Sequence, residues 1–484
     1  LLFGVALSSL MSSPEAAVLP IGLPSLPFHF RLDSLSAFFL LIIGGVSAGV
    51  SAFAAGYFRK GEGTPPGLLA FEYHVFLASM ALVVLADDAY AFMVMWETMA
   101  LSSFFLVTAN HRIVEIQRAG YLYLLVAHVG AIGILLCFGV LQANTGDYTF
   151  ANMRAQELTP FWASIAFLLA LFGFGAKAGI VPLHVWLPEA HPAAPSPVSA
   201  LMSGVMLKTA IYGVLRVLFD LLHTPLWWWG LLLLAVGLTT ALFGVVFAAV
   251  QVDMKRLLAY SSIENIGLLF AGIGLAVLFA AYGMAPMAAL ALTAVLYHVA
   301  SHAFFKSLLF VGTGAVLHAT GERNLGKLGG LIRRMPWVAW VTLIAVLASA
   351  GLPPLGGFVA DDVHAVDLAG LRVGDDLDEA LGVAGRHGLA DRGEGEFADL
   401  VVELLLLGGL LGQAGAGDLR LTVGAARKDA DLLRLGDAEH ALDRLNGAER
   451  RDVREPGRAL DVAGGVDAGR GGLVIGVHLH EAAV

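Results

Sequence analysis

The sequence has 484 residues, of which 58% are hydrophobic and only 14% are charged, and its mean hydropathy is +0.77. This composition excludes a soluble globular protein of this length, because such a protein needs a larger charged surface. The single cysteine, Cys137, lies in an apolar run, which excludes a disulfide framework, an iron–sulfur ligand set and a cysteine zinc site.

Long apolar runs occupy the chain as far as residue 360. Residues 1–20 are predicted to contain a partial first helix, the end of a span whose start is absent. Further spans are predicted at 35–57, 70–86, 89–109, 120–142, 161–181, 197–219, 227–250, 257–281, 286–316 and 337–360. About 20 apolar residues cross the bilayer core, so the sequence predicts an all-α polytopic membrane protein with about 10–11 transmembrane helices.

The connections between these spans alternate in charge. Every second connection is basic, and together they hold Arg59, Lys60, Arg112, Arg118, Lys255, Arg256, Arg323, Lys327, Arg333 and Arg334. The others hold Asp87, Asp88, Asp147, Glu157 and Asp220, against Arg154 and the nearby Arg216. This positive-inside pattern predicts that the basic connections are cytoplasmic and that Lys255 and Arg256, in a polar loop, determine topology. The expected location is a bacterial inner membrane, crossed many times by the chain.

Several ionisable residues lie inside the predicted spans. These are Glu97, Lys177, Lys208, His298, His302 and Lys306, and the last three are spaced i, i+4 and i+8, so they share one helical face. An ionisable residue in a span is costly, and it usually faces the bundle interior and has a function. A row of proton donors and acceptors of this kind predicts a proton path, in which Glu97 modulates the charge of Lys177.

Other interpretations of these residues remain open. His128 could pack or make an interhelical hydrogen bond as readily as it could transfer a proton. Lys177 could extend to the membrane surface. The spacing of His298 and His302 also suits metal ligands, but without cysteine and with one glutamate several spans away this interpretation is weak.

Prolines interrupt two of the predicted spans. Pro182 and Pro188 follow Lys177, and Pro353 and Pro354 lie in the last span. Proline removes a backbone donor, and an interrupted helix at membrane depth is tolerated only inside protein or beside water. Broken helices are typical of ion-path proteins, although a proline-rich surface loop competes for residues 192–197.

The composition changes after residue 360. Residues 361–484 hold 24 of the 39 acidic residues but only 13 of the 29 basic ones, and they contain no Ser, Trp or Tyr. They have no 20-residue apolar run and no clean periodicity. This acidic, Gly/Ala/Arg-rich tail is predicted to be a non-native reading frame or disordered, with a soluble extension as the alternative, and residues 1–360 to be the transmembrane domain.

Residues 25–359 contain a series of ordered motifs: DSLSAFF, ASMALVVLADDAYAFMVMWETMALSSFFLV, FGFGAKAGIVPLHVWLPEAHPAAPSPVSALMSG, MLKTAIYG, QVDMKRLLAYSSIENIG, HVASHAFFKSLLFVGTGAV and GLPPLGGF. These motifs resemble the antiporter-like membrane subunits of complex I, of hydrogenase-4 and of multisubunit cation/proton antiporters, and most closely the large membrane subunit of the hydrogenase-4 type. The resemblance implies inverted five-helix repeats with broken helices. It identifies Glu97 as the charge-pair glutamate, Lys177 as the lysine of the first broken helix, and Lys208, His298, His302 and Lys306 as members of a central polar axis.

The resemblance also implies a function and partners. We expect proton translocation by one membrane subunit of a respiratory redox complex, such as a membrane-bound hydrogenase or an NADH–quinone oxidoreductase-like complex, or alternatively a subunit of a sodium/proton antiporter. The expected partners are the lipid bilayer, other membrane subunits and a peripheral redox arm, a hydrogenase or quinone-reducing module. No nucleic acid, cofactor, metal or catalytic residue is expected in this chain. Family members continue after GLPPLGGF with another polar residue and further spans, so the sequence is expected to be incomplete at both ends.

Overall fold

The computed structural model describes residues 2–10, 12–58, 64–223, 225–350, 458–467 and 472–481, the last two ranges by their backbone only. The chain divides into two compact units, Leu1–Gly415 and Ala416–Val484. The first begins with α1 (Leu2–Ser9) and an antiparallel hairpin of β1 (Glu15–Leu23) and β2 (Leu26–Leu32). The second contains an antiparallel hairpin of β3 (Arg458–Asp467) and β4 (Gly472–Glu481).

The rest of the first unit is mainly helical as far as residue 350, where its described part ends. Its helices are α2 (Ser34–Tyr57), α3 (Pro66–Leu85), α4 (Ala89–Val107), α5 (Val114–Leu141), α6 (Phe150–Ala155), α7 (Pro160–Ala178), α8 (Leu187–Ala193), α9 (Ser196–Leu201), α10 (Leu207–Arg216), α11 (Trp227–Ala249), α12 (Met254–Ala281), α13 (Ala285–Thr320), α14 (Leu331–Arg334) and α15 (Pro336–Ser349). Short 3₁₀ turns occupy Leu183–Trp186 and Leu325–Lys327, and π-helical turns occupy Met202–Met206 and Val217–Leu221.

The predicted polytopic helical fold is confirmed. Within the described residues, nine helical segments are long and apolar enough to cross a membrane, and they coincide with the first nine predicted spans between 35 and 316. The tenth prediction, 337–360, coincides with α15, which is apolar but has 14 described residues. Some predictions concern residues outside the described ranges and therefore stay predictions. These residues are Arg59, Lys60, Pro353, Pro354 and most of 361–484.

The partial helix predicted in residues 1–20 is shorter than expected. The helix ends at Ser9, where the Ser8 and Ser12 hydroxyls donate to the carbonyls of Val5 and Ser8. Serine side chains compete in this way for the backbone, and Pro14 could not continue the helix. Residues 15–20 are instead part of β1.

Glycines bring α11 and α12 unusually close. A Cβ on Gly230 would lie 2.6 Å from the carbonyl oxygen of Gly274, and a Cβ on Gly244 would overlap the backbone of Glu264. Small residues are the usual means by which membrane helices approach closely. This packing fixes the rotation of α12, and with it the direction in which its polar residues point.

A chain of ion pairs joins the elements at the face of the acidic connections. Arg216 makes two contacts with Asp33, of 2.7 and 2.9 Å, and one of 3.1 Å with Asp220. Arg154 contacts Asp220 at 2.9 Å and Asp87 at 2.7 Å. Arg154 and Arg216, the two basic residues on the side of the acidic connections, are therefore both paired with aspartates.

Candidate proton path

The helix that carries Lys177 is broken directly after it. α7 ends at Ala178, and Gly179 follows with φ +82°, a left-handed conformation that favours glycine. Pro182 precedes a 3₁₀ turn, and Pro188 lies in the first turn of α8. Because a lysine in the last turn of a helix lies beside its free carbonyl groups, the break gives the Lys177 ammonium a favourable electrostatic position.

Lys177 is buried, with 2% of its surface exposed, so it does not extend to the membrane surface. Its Nζ donates to Tyr123 Oη at 2.7 Å and lies 4.9 Å from the centre of the Tyr123 ring and 5.9 Å from that of Trp96. Tyr123 Oη also lies 2.5 Å from Ser103 Oγ. The ammonium is therefore held by a hydroxyl and two aromatic faces inside the bundle.

In the structure, Glu97 contacts a residue other than Lys177. Glu97 Oε2 contacts His128 Nδ1 at 2.9 Å, and among the described residues the other oxygen, Oε1, has no hydrogen-bond partner. Glu97 and Lys177 make no direct contact among the described residues, because α5 presents Tyr123 to the lysine and His128 to the glutamate, and the modulation of Lys177 by Glu97 stays a prediction. The charge of Glu97 nevertheless acts electrostatically on Lys177.

Lys208 lies at the centre of the bundle. The span Ser196–Leu221 contains 18 consecutive residues that are all buried, and Lys208 is 1% exposed. Its Nζ donates to the Ser203 carbonyl at 2.6 Å and lies 2.5 Å from His302 Nδ1. Ser203 belongs to the π-helical turn Met202–Met206, and such turns interrupt the α-helical bonding pattern and often occur at functional sites.

Close packing permits the contact between Lys208 and α13. A Cβ on Gly204 would overlap Ser307 Oγ of α13, so only glycine allows this approach. Ser203 Oγ, on the same turn, lies 2.7 Å from Ser262 Oγ of α12. The π-helical turn therefore packs directly against both neighbouring helices.

The three predicted residues of α13 are all buried on one face. His298, His302 and Lys306 are 4%, 0% and 0% exposed, and the two imidazole rings stack with centroids 6.0 Å apart. His298 Nε2 lies 3.1 Å from Asn265 Oδ1, and Lys306 Nζ donates to Ser261 Oγ at 2.6 Å. Lys208 and His298 both contact His302, and Lys306 follows His302 by four residues on the same face of α13; we call these four residues the axis.

Tyr123 of α5 connects Lys177 to the π-helical turn that precedes Lys208. Besides Lys177, Tyr123 Oη contacts the sulfur of Met206 at 3.7 Å, and Met206 lies two residues before Lys208. No direct contact joins Lys177 to the axis among the residues that the structure describes. The Tyr123 hydroxyl and the π-helical turn therefore lie between the two regions.

Sequence reasoning missed four residues of this region: Tyr123, His191, Ser261 and Glu264. His191, on α8, is fully buried and stacks on Phe310 at 5.0 Å, and neither ring nitrogen has a hydrogen-bond partner in the described part of the chain. His191 and Glu264 could have been found, because each is an ionisable residue in or beside a predicted span. Tyr123 and Ser261 carry no charge and give no comparable signal.

The broken segment is held at the face of the basic connections. Lys255 Nζ donates to the Ala194 carbonyl at the end of α8 at 2.6 Å, and Arg256 pairs with Glu189 at 2.6 Å. The sequence predicts a topology determinant in a polar loop at Lys255, whereas the structure places it in the first turn of α12, 2% exposed. A cation there stabilises the C-terminal end of α8.

We therefore expect that Lys255→Met lowers the free energy of unfolding by about 1.5–3 kcal/mol, the usual value of a hydrogen bond from a charged group. The midpoint of thermal unfolding in detergent would report the loss. Arg256→Met is the matched control, because the Arg256–Glu189 pair is exposed and is expected to contribute about 1 kcal/mol or less. Equal losses in the two variants would contradict this interpretation of Lys255.

Two family models match the chain. The one described as NADH:quinone oxidoreductase/Mrp antiporter, TM, matches residues 86–366, which is more than half of the chain. The one described as NADH-ubiquinone oxidoreductase (complex I), chain 5 N-terminus, matches residues 19–65.

Several curated proteins are similar over about the same part of the chain. Hydrogenase-4 component B of Escherichia coli is 43% identical over 343 residues, which cover 69% of this chain and 51% of the relative. Formate hydrogenlyase subunit 3 of E. coli is 35% identical, covering 69% and 53%. A Na(+)/H(+) antiporter subunit A1 of Staphylococcus aureus is 32% identical, covering 69% and 42%. The chain thus spans about half the length of the curated relatives it matches.

Chains in solved structures share the fold, including the two that follow. The Mrp complex from Dietzia sp. DQ12-45-1b contains a chain that is 30% identical, with a TM-score of 0.70, covering 85% of this chain and 42% of that one. The membrane-bound sulfane sulfur reductase, an archaeal respiratory membrane complex, contains one that is 25% identical, with a TM-score of 0.66, covering 85% and 62%. Both relatives are parts of larger membrane complexes.

Proposed function

This chain belongs to the family of NADH:quinone oxidoreductase and Mrp antiporter transmembrane subunits, and from this premise we propose that it translocates protons. It would do so as an antiporter-like membrane subunit of a respiratory redox complex, such as a membrane-bound hydrogenase or an NADH–quinone oxidoreductase-like complex. The observation that carries the proposal is the axis, in which Lys208 contacts His302 at 2.5 Å in the wholly buried centre of a membrane domain.

The chemistry of the axis suits this role. Lysine and histidine exchange protons in their ordinary chemistry. Because ionisable side chains are costly inside a membrane domain, their presence there indicates a function. A proton that arrives at His302 can repel the charge of Lys208, and the reverse holds as well. Electrostatic changes made by partner subunits could therefore move protons along the axis.

The proposed partners are other membrane subunits and a peripheral redox arm in a bacterial inner membrane. The similarity to hydrogenase-4 component B and formate hydrogenlyase subunit 3 of E. coli supports this proposal. The redox arm would supply the driving energy by electron transfer to hydrogen or quinone.

A sodium/proton antiporter subunit is the second candidate. The similarity to the Na(+)/H(+) antiporter subunit A1 of S. aureus and to the Mrp complex favours it. The two functions differ in what drives the proton. Proton movement that begins when an electron donor is added in sodium-free medium supports the redox complex. Proton movement that requires a sodium gradient supports the antiporter.

The test is proton uptake into inverted membrane vesicles that carry the chain in its assembled complex, followed with a pH-sensitive dye. We expect that Lys208→Met reduces uptake at least about a hundredfold, because methionine keeps the volume of lysine but carries no proton. The amount of assembled complex is measured in the same vesicles. Unchanged uptake per assembled complex would overturn the proposed function.

Lys327→Met is the matched control. The Lys327 side chain is 69% exposed and pairs loosely with Glu322 at 3.4 Å. The same substitution there should leave uptake unchanged, because it removes an exposed charge that has no place in the axis. A similar loss in both variants would mean that the assay reports damage to the complex rather than the axis.

A further inference from the structure

Glu264 lies close to the axis but was not among the residues that the sequence singled out. It is partly buried on α12, one helical turn after Ser261. Ser261 Oγ donates to Glu264 Oε2 at 3.2 Å and accepts from Lys306 Nζ at 2.6 Å. A hydroxyl therefore connects the ammonium of the axis to a carboxylate on the neighbouring helix.

The chemistry of the three groups gives this connection a direction. An ammonium group only donates hydrogen bonds, and an ionised carboxylate only accepts them. Ser261 must therefore accept from Lys306, which leaves its own proton to point at Glu264. The three groups are already ordered for a proton to leave Lys306.

The charges favour the same direction. The negative charge of Glu264 acts on Lys306, and the charge of Lys306 acts in turn on Lys208 and His302. A second positive charge arriving at Lys208 or His302 would repel the Lys306 ammonium, and the carboxylate would attract its proton. Glu264 is thus an acidic group with a hydrogen-bonded connection to the axis.

We propose that Glu264 is a proton acceptor of the translocation path and receives its proton from Lys306 through Ser261; this deepens, and rests on, the proposed function. In the step, one N–H bond of Lys306 breaks as Ser261 Oγ takes the proton. The original Ser261 O–H bond breaks as Glu264 Oε2 takes that proton. The products are a neutral amine, an unchanged hydroxyl and a carboxylic acid, with no change of oxidation state.

The competing role for Glu264 is that of a fixed counter-charge for Lys306. The two roles separate at Ser261, which carries no charge. Ser261→Ala leaves both charges in place but removes the connection, so a counter-charge would still act and a relay would not. Ser261→Thr keeps the hydroxyl and is the conservative control.

The experiment measures proton uptake in the same vesicles, per assembled complex. Ser261→Ala and Glu264→Gln should each reduce uptake at least about tenfold, and Ser261→Thr should retain most of it. Infrared difference spectra during turnover should show the C=O stretch of a protonated carboxylic acid, and Glu264→Gln should remove that band. If the Glu264 carboxylate were a fixed charge that never takes a proton, Glu264→Gln would not remove any such band.

Two results would overturn the inference while leaving the proposed function intact. One is normal uptake in Ser261→Ala together with loss in Lys208→Met, and the other is a carboxylic acid band that persists in Glu264→Gln. Normal uptake in Lys208→Met would instead refute the proposed function itself. If Glu264→Gln fails to assemble, Ser261→Ala and Ser261→Thr still decide between a relay and a counter-charge.

Discussion

Replacement of Lys177 by alanine is expected to reduce proton uptake by the assembled complex at least about a hundredfold. Lys177 is buried at the end of α7, and the structure gives its ammonium a hydroxyl partner, Tyr123, and two aromatic faces. Alanine removes the proposed proton carrier at the point where the helix is broken. The measurement is dye-reported uptake in inverted vesicles, per assembled complex.

Lys177→Arg distinguishes a proton carrier from a fixed charge. A guanidinium keeps its proton under all working conditions, whereas a lysine in a buried site can release it. If Lys177 passes protons, the arginine variant should fail almost as completely as the alanine variant. Full uptake with arginine would mean that only the positive charge matters. Tyr123→Phe should cause a smaller loss, because the ring that faces the ammonium remains.

The largest expected effect on stability is that of Arg216→Met. Arg216 makes two contacts with Asp33, of 2.7 and 2.9 Å, and its side chain is 7% exposed. Removing one partner of a buried ion pair leaves the other charge uncompensated, which costs about 3–5 kcal/mol. We expect that loss in the free energy of unfolding, measured by denaturation in detergent.

The double variant Arg216→Met/Asp33→Asn should recover part of the loss. Asparagine removes the uncompensated charge and can still accept the hydrogen bond that Asp33 takes from the Ser36 amide at the start of α2. Arg323→Met is the matched control, since the Arg323–Asp253 pair has the same distance, 2.7 Å, but Arg323 is 47% exposed. An equally large loss at Arg323 would show that burial is not the cause.

The pH dependence of the same ion pair has a definite sign. Burial alone would raise the pKa of the Asp33 carboxyl, but the hydrogen bonds and charge of Arg216 outweigh burial and hold that pKa well below its usual value of 3.8. The stabilisation is therefore present above about pH 4 and is lost as the pH falls below it. Arg216→Met should weaken this dependence, and an unchanged acid profile would contradict the assignment.

The sequence by itself determined the spans, the alternation of charge and the shared face of His298, His302 and Lys306. Each of these properties depends on residues that are close together in the sequence: about 20 apolar residues for a span, the charges of one connection, and a period of 3.6 residues for a helical face. Such properties can be predicted without knowing how the helices pack. The prolines near Pro182 likewise predicted a break, because a missing N–H group is a local property. The limits of this reasoning appear at residues 15–20, where pairing with β2 decided the strand.

Only the tertiary structure decided which groups meet between helices. Glu97 contacts His128 rather than Lys177, Lys255 caps α8 rather than lying in a loop, and Glu264 reaches Lys306 through Ser261. Such contacts depend on how far each helix is rotated and how closely it packs. Contacts at glycines, such as Gly244 against α12, set that rotation, and the spacing of residues along a single helix does not record it.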